Sequence, residues 1–170
     1  MADSLFTYVE QSYLSVKENA EDSAEKPKVL INAPWEGVWY LPNSSSFAAK
    51  YIEDAGGRFA IEDEGQSAWK MLDEEAVFEQ ANDADIWLNT GNHFSLTSLK
   101  SAFSLATEFQ AYQNGEVFNN LKRVNNAGGN DYWESGIYRP DLVLNDLVQI
   151  FYKDSLNSDD LVFFIRLKQG

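Results

Sequence analysis

The chain contains no cysteine. Disulfide staples, thiolate metal sites and a cysteine nucleophile are therefore all excluded. Histidine is nearly absent too, with His93 the only one among 170 residues, so a histidine-ligated metal cluster cannot form. Basic residues are scarce, 13 Lys and Arg against 27 Asp and Glu, which gives a net charge of −14. Duplex nucleic acid or an anionic membrane surface would be repelled by such a surface. Most of the excess acid lies in residues 1–85. No apolar run approaches the roughly 18 residues needed to cross a bilayer, and Met1-Ala2-Asp3 lacks the basic and apolar regions of a signal peptide. The sequence holds no GxSxG, no HExxH and no phosphate loop with its lysine.

What is present is a globular composition, 44% hydrophobic and 14% aromatic, enough for one domain with a sizeable core. Leu5, Val9, Tyr13, Val16 and Ala20 recur at helical spacing and predict an opening helix with one apolar stripe. The polar stretch Glu21 to Pro27 reads as a linker, and Lys28 to Ala33 as a short buried strand. Trp35 to Pro42 carries three aromatics between two prolines and reads as a strand or an extended hairpin. Asn43 to Ser46 offers N-caps for a helix through Phe47, Ala48, Tyr51, Ile52 and Ala55, which Gly56-Gly57 stops.

Further on, Asp73-Glu74-Glu75 places carboxylates in the first turn of a helix, and Asp85 to Asn89 predicts a buried strand holding Trp87. A helix is expected from Leu99 through Phe109 to Asn114-Gly115, then a strand at Val117-Phe118. A flexible loop follows at Asn125 to Asn130, next to Tyr132 and Trp133. Pro140 and Asp141 open a last helix through Phe151, and Leu161 to Ile165 forms an apolar extended tail. Repeated alternation of strand and helix argues an α/β fold with a mainly parallel central sheet.

Candidate chemistry is thin. His93 lies near Ser95, Thr97 and Ser98, a loose spacing for a triad, and it reads better as a loop residue. The clusters Glu62-Asp63-Glu64 and Asp73-Glu74-Glu75 read as solvated surface. Gly56-Gly57 follows a helix and Gly128-Gly129 follows no strand, so neither is a phosphate cradle. The less ordinary feature is aromatics in loop-like surroundings: Trp35, Trp39 and Tyr40, then Trp69, then Tyr132 and Trp133. Such placement suits stacking on a ligand.

The ordered set from Gly37 to Ser46, Ile52 to Gly57, Leu72 to Val77, Ala81 to Trp87, Asp131 to Gly136 and Arg139 to Leu147 resembles one family. It is similar to the C-terminal lobe of periplasmic metallophore-binding proteins of ABC importers, in which a long helix joins two lobes. The resemblance runs from about Lys28 to Leu167. It implies a three-layer α/β lobe over residues 27–170, preceded in residues 1–26 by the end of the interlobe helix and its linker.

It further implies a non-enzymatic protein with no cofactor, cut from a longer lipid-anchored precursor of the periplasm or cell envelope, Met1 being an added start. The cargo would be an iron chelate, haem or cobalamin held between this lobe and the N-terminal lobe of the same precursor, then delivered to permease subunits. Trp35, Trp39, Asn43, Ser44, Ser45, Tyr132 and Trp133 are the implied ligand-binding residues. Lys50 stands where the family often has a permease-docking carboxylate, which leaves Glu53 and Asp54 as the docking acids. Two rival readings are a cytoplasmic hydrolase-type α/β enzyme using His93, and a protein- or glycan-binding module using exposed tryptophans.

Overall fold

The computed structural model describes residues 2–21, 25–61, 70–153, 156 and 158–170. The cluster Glu62-Asp63-Glu64, Trp69 and part of the expected linker lie outside the described residues. Helix α1 (Ala2–Glu21) leads to β1 (Lys28–Ile31), β2 (Val38–Leu41), α2 (Phe47–Asp54) and β3 (Arg58–Phe59). There follow β4 (Lys70–Asp73), α3 (Glu74–Ala81), β5 (Ile86–Leu88), α4 (Leu96–Ala102), α5 (Gln110–Gln113) and β6 (Val117–Asn119). The chain closes with α6 (Ser135–Tyr138), α7 (Pro140–Tyr152) and β7 (Ile165–Arg166).

The central sheet has the order β3-β1-β5-β6-β7, parallel except for the antiparallel edge strand β7. Its middle strands read as uninterrupted apolar runs because both faces are covered, with Val29, Leu30, Ile31, Trp87 and Val117 all buried. Helices α1, α2 and α7 pack on one another, and α3 packs on β2 and β4. The fold is thus the expected layered α/β lobe with a mainly parallel sheet flanked by helices.

Local sequence signals account for the helix ends. Ser46, Asp73 and Ser95 cap α2, α3 and α4 by accepting from the amides of Ala49, Ala76 and Ser98 at 3.1, 2.7 and 3.1 Å. Pro140 occupies the first turn of α7. Gly56 turns left-handed (φ +81°) beneath the Tyr152 hydroxyl, which donates to its carbonyl at 2.9 Å.

The structure adds to or departs from these expectations in four places. Leu5 lies on the predicted apolar stripe but is 60% exposed, whereas Val9 and Ala20 on the same stripe are buried. Strand β2 does not join the central sheet; it pairs antiparallel with β4, an unforeseen strand, in register Tyr40 with Met71. The helix expected from Leu99 to Phe109 is broken: Phe103 and Phe109 are extended, with a 3-10 turn at Ser104–Glu108 between them. That break lets both rings reach Trp39 and Trp87 in the core, a tertiary gain that overrides helical periodicity. The apolar tail is a strand only at its end. Its start is held instead by buried Asp146, whose carboxylate accepts from the amides of Val162 and Phe163 at 2.9 and 2.7 Å.

Candidate functional site

In an open parallel sheet, ligands bind outside the carboxyl ends of the strands, where loops diverge. Three loops meet that description here, after β1, β5 and β6. Asn32 and Asn89 end the adjacent strands β1 and β5 in left-handed backbone (φ 65° and 56°), a conformation that asparagine tolerates better than most residues. Asn32 ties the ends together. Its amide donates to the Leu88 carbonyl at 2.9 Å, its Nδ2 to the Tyr40 carbonyl at 2.8 Å, and its carbonyl accepts from the Trp87 indole at 2.6 Å.

The loop after β1 then makes a tight hairpin. Glu36 and Gly37 both have positive φ, and Trp35 and Val38 exchange two backbone hydrogen bonds at 2.8 and 2.9 Å. Trp35 therefore stands at a rigid tip, 71% exposed. Trp39 does not. It is fully buried, donates its indole hydrogen to the Ile31 carbonyl at 2.9 Å and stacks on Trp87 with ring centroids 5.6 Å apart. The expectation that Trp39 grips a ligand is corrected: it is a core residue that fastens β2 to β1.

Asn43, Ser44 and Ser45 form the turn before α2, and Ser44 and Ser45 are exposed. The Asn43 Oδ1 accepts from the Ser45 amide and hydroxyl at 3.1 and 2.9 Å, so this oxygen holds the loop rather than reaching outward. Tyr40, the neighbour of Trp39 on the opposite face of β2, is exposed, as is Phe47 at the start of α2. The sequence reading counts Tyr40 among the loop-like aromatics but not among the implied ligand-binding residues, and takes Phe47 only as a helix residue. The alternation of a strand was the available signal, since Trp39 and Tyr40 must face opposite ways.

The glycine-rich loop after β6 is not loose. Asn125 Oδ1 accepts from the amides of Ala127 and Gly129 at 2.9 and 3.0 Å, Val124 bridges Asn130, and Asn130 Nδ2 donates to the Asn120 carbonyl at 2.9 Å. Arg123 pairs with Asp131 at 2.8 Å. Trp133 is 63% exposed beside this loop. Its neighbour Tyr132 packs edge-on against Phe163 and Phe164 at 5.9 and 5.7 Å, and burial pushes its phenol well above the usual range. Tyr132 is half-buried and packs edge-on to Trp133 with ring centroids 4.8 Å apart, supporting it from the core side.

Trp133, Glu134, Gly128 and Asn130 line a cavity of about 530 Å³ together with Leu121, Val124, Asn92 and Phe94. Trp35 and the Asn43 to Ser45 turn do not line it. His93, between Asn92 and Phe94, has its Nδ1 2.9 Å from the Ser98 hydroxyl, and burial lowers its pKa, favouring the neutral ring. Its carbonyl accepts from buried Asn119 at 2.9 Å. This arrangement anchors the loop and supplies no carboxylate to orient the ring for catalysis. Among the described residues, no group of three His, Asp or Glu side chains converges to hold a metal ion, and no helix is long and apolar enough to cross a membrane.

The two expected docking acids differ. Glu53 is exposed and pairs with Lys50 at 2.7 Å. Asp54 is only 5% exposed, which corrects its reading as a docking acid: it accepts from the Tyr13 hydroxyl at 2.7 Å and pairs with Lys17 at 3.0 Å, fastening α1 to α2. Burial alone would raise its pKa, but these partners outweigh it and hold the carboxyl below the ordinary range.

The site is a cavity at the carboxyl ends of β5 and β6 on a layered α/β fold. The model of the periplasmic binding protein family matches residues 1–122, and the chain belongs to that family, whose members bind substrates and are not enzymes. An uncharacterized lipoprotein of Methanocaldococcus jannaschii is 26% identical over 95% of this chain, which spans 37% of that relative. Among solved structures, the TroA-like periplasmic binding protein FepB from Veillonella parvula aligns over 98% of this chain and 56% of its own (TM-score 0.68, 14% identity). The periplasmic haem-binding protein RhuT from Roseiflexus sp. RS-1 aligns over 88% and 55% (TM-score 0.66, 21% identity). The chain thus spans about a third to a little over half of the length of these proteins.

Proposed function

We propose that this chain is the C-terminal lobe of a solute-binding protein that captures a metallophore-type ligand and delivers it to an ABC permease. The observation that carries the reading is the cavity at the carboxyl ends of β5 and β6, walled by Trp133 and lined with asparagine amides. An exposed indole beside neutral amides suits stacking on a corrin, a porphyrin or a chelate face. The cleft would be completed by a second lobe, with residues 1–26 as the end of the helix between the lobes and residues 27–170 as the lobe proper. Trp35, Ser44 and Ser45 would stand at its rim. Glu53, the exposed acid of α2, is the remaining candidate for contact with arginines of the permease. The lipoprotein name of the archaeal relative supports an envelope location with a lipid tether.

Tryptophan-fluorescence titration tests this, with cyanocobalamin, haemin and ferric siderophores added to this chain and to the full-length gene product. Saturable quenching in the full-length protein, weaker in the chain and lost in Trp133→Ala, is the expected result. Absence of saturable quenching by every ligand in both proteins would overturn the reading.

A further inference from the structure

We infer that this half-cleft selects cargo that is neutral or positively charged overall and disfavours polyanionic chelates. The inference rests on the solute-binding reading above and adds the charge class of the cargo. A site for a trianionic ferric catecholate needs free cations, because burying several negative charges without counter-charge is costly. The cavity wall has none. Its polar groups are the amides of Asn92 and Asn130 and the carboxylate of Glu134, and the rest of its lining is glycine or apolar.

The cations nearest in the chain are all engaged. Arg123 is paired with Asp131 at 2.8 Å and lies over the Phe163 ring. Lys122 donates to the main-chain carbonyls of Asp159 and Leu161. Arg139 grips Asp141 with two parallel hydrogen bonds at 2.9 and 2.8 Å. The exposed acids Glu36, on the Trp35 hairpin, and Glu134 add negative charge at the same end, against a net charge of −14 for the whole chain.

The same end is rich in amide groups. Asn120, one residue before the lining residue Leu121, is 5% exposed and its Nδ2 has no hydrogen-bond partner, and Asn89 Oδ1 at the neighbouring strand end is likewise unpartnered. Both of these atoms are sealed from solvent; on the cavity wall itself Asn92 presents an exposed neutral amide that matches amide or hydroxamate edges, while Trp133 supplies the apolar face.

The test compares three probes by isothermal titration and fluorescence on this chain and on the full-length protein: neutral cyanocobalamin, cationic ferrioxamine B and trianionic ferric enterobactin. The tighter of the first two should exceed the trianion by about tenfold or more. Glu134→Gln should narrow that ratio by about three- to tenfold, and the ratio for the cationic probe should shrink as salt rises. Binding of the trianion as tightly as the other two overturns the charge selectivity while leaving the capture of a metallophore intact. If no probe binds either protein, the solute-binding reading fails and the selectivity falls with it.

Discussion

Replacing Trp39 separates a core residue from a ligand residue in one experiment. Its indole is fully buried, stacked 5.6 Å from Trp87, edge-on to Phe103 at 5.7 Å, and bonded to the Ile31 carbonyl. Truncation of a buried aromatic costs about 3–5 kcal/mol, and the Ile31 carbonyl would also lose its indole donor, so Trp39→Ala should lose about 4–5 kcal/mol. Trp39→Phe keeps a ring and loses the indole donor, a cost of about 1–3 kcal/mol. With a urea slope of roughly 2 kcal/mol per molar for a domain of this size, the alanine variant's midpoint should fall by about 2 M. Trp133→Ala, on the exposed side, should stay within about 0.5 kcal/mol of the parent in the same melt and lose about 1–3 kcal/mol of ligand affinity. Urea unfolding followed by far-ultraviolet circular dichroism, beside fluorescence titration, reads both. A Trp39→Ala protein with an unchanged urea midpoint would refute the placement of this side chain.

The remaining predictions concern the frame. Gly56→Ala puts a Cβ against the Tyr152 hydroxyl and the Ala20 carbonyl at a left-handed position (φ +81°), so it should cost about 1–3 kcal/mol and lower Tm measurably; an unchanged melt would show the site open. Asp54 and Asp141 are held below the ordinary carboxylate range. Burial opposes this, but Tyr13 and Lys17 at the first and Arg139 at the second outweigh it. Their stabilisation is present above that range and is lost as pH falls through the lowered values, so Asp54→Asn should cost about 2–3 kcal/mol at pH 7 and progressively less toward about pH 3 in paired thermal melts. Asp146 runs the other way. Burial raises its pKa despite the amides it accepts from, so between the ordinary and the raised value the folded protein holds a proton that the unfolded chain releases. Stability falls as pH rises from the ordinary carboxylate value through the raised one, and Asp146→Asn should remove that slope in a pH series of melts.

The Ser46 cap was legible in the sequence because it is local, acting on an amide three residues away; the sequence reads Asp73 as first-turn charge and Ser95 as a loop hydroxyl, although both cap in the same way. The buried parallel strands were legible as short apolar runs. Strand β4 was not, since Lys70-Met71-Leu72-Asp73 is stabilised by its distant partner β2 and carries little strand propensity of its own. The helix break at Phe103 escaped for the same kind of reason: the rings that reward it come from β2 and β5. At the site, Trp35 and Trp133 stood out as aromatics in loops, and that reading placed both on the surface. It failed for Trp39 because aromatic content says nothing about which face of a strand a ring takes, and the period of two beside Tyr40 was the discriminating clue. The cavity's asparagines came from two separate loops, and only the pairing of β5 with β6 brings those loops together.

The fastening of α1 has a mechanical consequence. Tyr13 and Lys17 are locked to Asp54, and Asp54 is sealed within the lobe. From Val9 to Ala20 the helix is therefore fastened to the body of the lobe, and the two move as one piece. Any bending has to be taken up in the first two turns, where Leu5, Phe6 and Tyr8 are exposed. In the proposed two-lobe protein a small tilt there, multiplied along the length of the helix, would become a large displacement at the far edge of the lobe.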